Sequence, residues 1–214
     1  MQLPTYDDVV AAAGRIEGQA HRTPVLRSRT ANAMLGAEVF FKCENFQRMG
    51  AFKFRGAFNR LSTIPVDDRL RGVVAVSSGN HGAAVACAAQ ILGIEATVHV
   101  PQDVAGAKRA LIERFGARIV MFDRSTPDRD AGALRQVADT GATFVHPFED
   151  PVVMAGQGTA ALELHEQAGA LDVLIVPMSG GGAGVPPLLS EPAFWQPIIS
   201  SGSIQHSLLS KFMT

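Results

Sequence analysis

Three short segments of this chain concentrate the residues that could do chemistry. The first is Met49-Gly50-Ala51-Phe52-Lys53-Phe54-Arg55-Gly56. A lysine between two phenylalanines, opening a helix after a glycine, can sit in an apolar pocket. Desolvation there lowers its pKa and supplies the neutral amine that Schiff-base chemistry needs. An ordinary lysine lying along two aromatic rings accounts for the same residues and is the commoner case, since lone lysines are mostly surface residues. The second segment is Ser77-Ser78-Gly79-Asn80-His81-Gly82, a turn between a predicted strand and a predicted helix. The carboxyl end of a parallel strand is where open sheets bind ligands, and a helix N-terminus offers unpaired N–H groups suited to a carboxylate. A polar cap explains one of the serines, but capping alone does not need two hydroxyls, an amide and an imidazole together. The third segment, Ser179-Gly180-Gly181-Gly182-Ala183-Gly184, also follows a predicted strand. Successive glycines let backbone N–H groups converge on a phosphate, although a flexible turn has the same composition. It fits neither the P-loop nor the complete G-x-G-x-x-G pattern, which disfavours a nucleoside triphosphate or a dinucleotide.

The elements that must position these segments follow a strand-then-helix rhythm from Gly72 to Pro177. Strands are predicted at 72–76, 96–100, 118–122, 143–146 and 173–177, with helices near 83–92, 105–115, 129–138 and 158–168. Strands apolar throughout, alternating with helices, imply an α/β fold with a parallel sheet covered on both faces. The first fifty residues add a helix over Tyr6–Ile16, with Thr5 and Asp8 placed for a capping box, and a strand near Glu38–Cys43.

Hydrophobic residues make up 47% and charged residues 18%, which excludes a disordered, solvating role. A formal net charge of -1 offers no general attraction to nucleic acid or to an anionic membrane. Two cysteines, Cys43 and Cys87, lie in apolar stretches and are expected as free thiols in a reducing compartment. No basic-then-apolar leader opens the sequence, and no apolar run reaches membrane-spanning length, so a cytoplasmic protein is expected.

Taken together and in order, the segments resemble the fold-type-II pyridoxal-phosphate enzymes. The closest resemblance is to the serine/threonine dehydratase family, in the branch of threonine dehydratase, serine racemase and threo-3-hydroxyaspartate ammonia-lyase. The stretch Glu44–Ala57 is similar to that family's cofactor-lysine segment, and Ser77–Gly82 to its substrate-carboxylate loop. His146-Pro147-Phe148 and Ala155-Gly156-Gln157-Gly158-Thr159 are similar to further stretches, and Pro177–Gly182 to its phosphate loop. The resemblance covers residues 1 to about 184. It implies two parallel-sheet, three-layer domains of the tryptophan-synthase-β-like kind, the large one incomplete. Residues 1–52 would begin the large domain, 53–147 form the small domain, 148–184 return to the large domain, and 185–214 form an atypical tail.

The resemblance also implies roles. Lys53 would hold pyridoxal 5'-phosphate covalently and, once displaced by substrate, remove the Cα proton. Phe52 would lie against the cofactor ring, and Asn80 would meet its phenolic oxygen. Ser77, Ser78, Asn80 and His81 would take the substrate carboxylate, with Ser78 in the place of an opposite-face acid/base. Gly180, Gly181, Gly182 and Ala183 would wrap the phosphate, and Arg129 would meet a distal carboxylate; a surface arginine opening a helix remains the alternative for Arg129. The implied reaction is dehydration of L-threonine, L-serine or a 3-hydroxyaspartate-like amino acid to a keto acid and ammonia. Serine racemization, or an inactive remnant, stands as the alternative. Full-length members form homodimers, and some hold a divalent metal whose ligands cannot be placed here. Beyond Gly184 the sequence departs from the family: only Glu191 and Lys211 are charged between Val185 and Thr214, and four prolines interrupt the run. Truncation or a shifted reading frame is the expected cause.

Overall fold

The computed structural model describes residues 3–125 and 128–176. Helix α1 (Tyr6–Ile16) begins at the predicted capping box. The Asp8 N–H donates to the Thr5 hydroxyl, and the Thr5 N–H donates back to the Asp8 carboxylate at 2.7 Å. Next come strand β1 (Val25–Arg27), helix α2 (Arg29–Leu35) and strand β2 (Phe40–Lys42), with β1 and β2 paired antiparallel. Ser28 caps α2, and Gly36 ends it in the left-handed region at φ 63. Two short 3-10 turns, Glu44–Phe46 and Arg48–Gly50, lead into α3 (Lys53–Ser62) and α4 (Val66–Arg69).

The remaining elements alternate: β3 (Val73–Val76), α5 (Asn80–Leu92), β4 (Ala96–Pro101), α6 (Gly106–Arg114), β5 (Arg118–Phe122), α7 (Ala131–Thr140), β6 (Thr143–Phe144) and α8 (Pro151–Ala168). Four strands form one parallel sheet in the order β5-β4-β3-β6. The sheet is covered on both faces, as the continuous apolar strands predict. Val73 and Ala75 pack with α3 and α5, whereas Val74 and Val76 pack with Ala133 and Ala142 on the α7 side. From β3 the chain proceeds to β4 and β5 on one side and then returns to place β6 on the other. The topological switch point, the place where such sheets form a ligand-binding crevice, therefore lies between the carboxyl ends of β3 and β6.

Helix α3 is wedged between α5 and α8. Its contact with α8 is a backbone-to-backbone approach: a Cβ on Gly156 would lie 2.6 Å from the Gly56 Cα and 2.7 Å from the Arg55 carbonyl oxygen. Only glycine fits there, so the glycine pair fixes the depth of α3.

Three of the predicted elements differ clearly from expectation. Helix α8 starts at Pro151, well before 158, because Asp150 caps it and proline suits the first helical turn. Strand β6 is shorter than 143–146. No strand forms over 173–176, where Val173 and Ile175 are 52% and 58% exposed. An apolar run specifies a strand only where a neighbouring strand can pair with it, and none does so among the described residues.

Candidate active site

Lys53 and the Ser77–His81 turn converge on the switch-point crevice. Lys53 opens α3, half-buried, and its Nζ donates to the Pro147 carbonyl oxygen at 2.9 Å, just beyond β6. The same Nζ lies 5.2 Å from the Phe52 ring centroid. No carboxylate pairs with it among the described residues, and burial holds its pKa below the ordinary lysine value. A lysine so placed keeps more of the neutral amine at working pH than an exposed one.

The turn after β3 is closed by its own groups. The Ser77 N–H donates to the His99 carbonyl of β4 at 3.0 Å. The Ser77 hydroxyl accepts from the Gly79 N–H at 3.1 Å. Ser78 is half-exposed, and Asn80 is exposed at the first position of α5. The first N–H groups of a helix have no intrahelical acceptor, so those of Asn80, His81 and Gly82 are presented at this end. Gly82 allows the close seating of α5, since a Cβ there would lie 2.9 Å from Val98 Cγ1 and 3.0 Å from the Ser77 carbonyl oxygen. His81 points away from the turn's mouth. The residue is 3% exposed, and Nε2 lies 2.9 Å from the Val145 carbonyl oxygen. Burial, with the charge of Lys53 nearby, pushes its pKa down to about 4.

Arg129 lies in the turn before α7, more than half exposed, with Nε 3.2 Å from Asp130 Oδ1. Among the described residues, that ion pair is its recorded side-chain contact. Gly180, Gly181, Gly182 and Ala183 lie outside the described residues. Cys43 and Cys87 are both free thiols. Among the described residues no helix is long and apolar enough to cross a membrane.

One feature of the site is invisible in the motifs. Arg55, two residues beyond Lys53, is fully buried beneath it. Its Nε and Nη2 each donate to the Glu44 carboxylate at 2.8 Å, and Nη1 and Nη2 donate to Glu163 at 2.7 and 2.9 Å. Lys42 adds a 2.7 Å bond to the same Glu163 carboxylate. Burial alone would lower the arginine's pKa, but the bonds from Glu44 and Glu163 outweigh it and raise the value. The cluster ties α3 to β2, to the Glu44 turn and to α8. The sequence signal for it is slight: Arg55 stands beside Phe54, Ala57 and Phe58, in a stretch that also carries the polar residues Asn59 and Arg60.

The family model for pyridoxal-phosphate dependent enzymes matches residues 16–185. The chain belongs to that family. Its relatives narrow the neighbourhood. It is 51% identical over 180 residues to a serine racemase of Schizosaccharomyces pombe, covering 84% of this chain and 56% of the relative. It is 50% identical over 182 residues to an L-threo-3-hydroxyaspartate ammonia-lyase of a Pseudomonas species, covering 85% and 57%. Among solved structures, maize serine racemase superposes with a TM-score of 0.86 at 40% identity, covering 90% of this chain and 60% of that one. The chain thus spans just over half the length of the curated relatives it matches. The family's fold agrees with the α/β, parallel-sheet expectation. Its cofactor suits this place, where Lys53, without a carboxylate partner among the described residues, lies near the turn that carries His81 and its hydroxyl, amide and N–H donors.

Proposed function

We propose that this chain carries the cofactor-lysine half of a pyridoxal-phosphate-dependent ammonia-lyase acting on a hydroxy amino acid: L-threonine, L-serine or a 3-hydroxyaspartate-like substrate. The observation that carries the reading is the convergence of Lys53 and the Ser77–His81 turn on one crevice, through the carbonyls of Pro147 and Val145. When bound, the cofactor supplies an electron sink for negative charge at Cα. Lys53 is the residue that would hold it, and its lowered pKa suits it to accept the Cα proton. The Ser78 hydroxyl, the Asn80 amide and the N–H groups opening α5 would orient the substrate carboxylate. Gly180 to Ala183 would take the phosphate.

Racemization of serine is the second reading, favoured by the serine racemases among the relatives and by Ser78 as a hydroxyl beside the Lys53 crevice. The same reading divides the chain at Lys53 and after Pro147, so that residues 1–52 and 148–184 share one domain; the packing of α1, β1 and β2 on α8 supports this. Two free thiols support a reducing, cytoplasmic setting.

The test begins with purified chain and added pyridoxal phosphate, reduced with borohydride and mapped by mass spectrometry. A label on Lys53 is expected, and its absence sinks the reading. Keto acid released from L-threonine, L-serine or threo-3-hydroxyaspartate identifies a lyase, and D-serine formed from L-serine a racemase. A labelled Lys53 with no product from any substrate identifies a chain that binds cofactor without completing the site.

A further inference from the structure

Lys53 Nζ reaches only one protein acceptor among the described residues, the Pro147 carbonyl, so whatever fixes Pro147 sets the lysine's surroundings. The segment from Val145 to Asp150 is anchored at both ends. At the far end, Asp150 Oδ2 accepts from Arg60 Nε at 2.8 Å, and Arg60 lies two turns beyond Lys53 on α3. Within the segment, His146 Nδ1 accepts from the N–H groups of Phe148 at 3.3 Å and Glu149 at 2.7 Å. At the near end stands the buried bond between His81 Nε2 and the Val145 carbonyl.

A carbonyl oxygen only accepts, so His81 Nε2 carries the proton and Nδ1 is a bare nitrogen. The surroundings agree, because Nδ1 is buried with no hydrogen-bond partner among the described residues. The reverse tautomer would bury an unpaired N–H and set a lone pair against the carbonyl oxygen, both unfavourable. The charged and titratable groups facing the ring are Lys53 on α3, with His146 and Asp150 on the anchored segment.

We propose that His81 is a positioning residue whose side chain serves Lys53: its neutral imidazole latches the carboxyl end of β6 to the N-terminus of α5, holding Pro147 against Lys53 Nζ and keeping that amine out of water. This rests on the reading of Lys53 as the cofactor lysine, and it assigns the imidazole a different task from the backbone N–H groups of the same turn.

The experiment follows Lys53 directly. Acetylation of Lys53 in the cofactor-free chain is measured against pH by mass spectrometry for wild type, His81→Leu and His81→Gln. Losing the latch hydrates the lysine and raises its pKa. At neutral pH the His81→Leu rate is then expected to fall by up to about tenfold, the effect of a one-unit rise. Glutamine can place an N–H near the position of Nε2 and is expected to restore most of the rate. A folded His81→Leu chain with the wild-type profile overturns the proposal. Nitrogen-15 spectra of ring-labelled wild-type protein need no such variant: a protonated Nε2 and bare Nδ1 at pH 7 are expected, and the opposite tautomer overturns it. Failure of borohydride trapping in wild type, with the latch effect present, would remove the cofactor reading and leave the latch standing.

Discussion

Two cations stand two residues apart at the start of α3, and their surroundings are opposite. Arg55 is fully buried and meets two carboxylates, a hydroxyl and a backbone carbonyl. Lys53 is half-buried and meets one carbonyl oxygen. Beneath the crevice charge is concentrated and neutralised in place; at the crevice it is withheld, with no carboxylate on Lys53 among the described residues and His81 buried in its neutral form. The difference separates two tasks. The cluster under α3 fixes where the helix sits, and the sparse side leaves an amine that can lose its proton. A carboxylate beside Lys53 would hold the ammonium form and oppose that use.

The largest effect is expected from breaking the concentrated side. Arg55→Met removes the shared cation and leaves Glu44 and Glu163 facing each other with only Lys42 nearby. Breaking a buried pair in this way costs about 3–5 kcal/mol. Urea unfolding should show a midpoint lowered accordingly. A loss below about 1 kcal/mol would mean that the cluster is as weak as a surface pair and does not fix α3.

That cluster is also where sequence reading fell short. The turn Ser77, Ser78, Asn80 and His81 was a local candidate, because residues between a strand and a helix carry their meaning locally, whereas Lys53 stood out only through its resemblance to a cofactor-lysine segment. The capping box at Thr5 and Asp8 was legible for the same reason. The partners of Arg55 lie on the Glu44 turn, at the His21 carbonyl and on α8, up to 108 residues away, and no local pattern announces such a meeting. The fold class was readable from continuous apolar strands, whereas β1 and α2 were missed: a three-residue strand has too few residues to show a period. The boundaries Ser28 and Gly36 were readable cues for α2 that went unused. For His81 the residue was legible but not its direction, since the Val145 carbonyl that accepts its N–H lies just past β6, 64 residues later.

A smaller effect tests the withheld side through pH. Unfolded, His81 binds a proton near its ordinary 6.5; folded, only near about 4. Unfolding therefore takes up a proton throughout that window. Stability from this group is fully present above about pH 6.5 and is lost as the pH falls towards 4, by up to about 3 kcal/mol. Glu163 acts in a lower window. Burial raises its pKa, but its bonds to Arg55 and Lys42 outweigh that and hold it below the ordinary 4.5, so its contribution is lost only below that value. Thermal melts from pH 7 to 4 should fall in wild type before the carboxylates titrate. In His81→Gln the curve should stay flat to about pH 5; a curve parallel to wild type would show that another group governs this range.

The smallest effect on stability belongs to Lys53 itself, and the contrast with Arg55 predicts its sign. Its ammonium loses hydration on folding and gains one carbonyl in return, an incomplete exchange. Methionine has a similar length and no charge to desolvate, and it can lie along the Phe52 ring that Lys53 approaches. Lys53→Met should therefore leave the melting temperature unchanged or slightly higher, within roughly 0.5 kcal/mol of wild type, while abolishing borohydride labelling of the chain by pyridoxal phosphate. A site residue whose removal costs no stability is one kept for reactivity. If Lys53→Met were instead to destabilise the chain as severely as Arg55→Met, Lys53 would be a structural cation after all, and the division of labour along α3 would collapse.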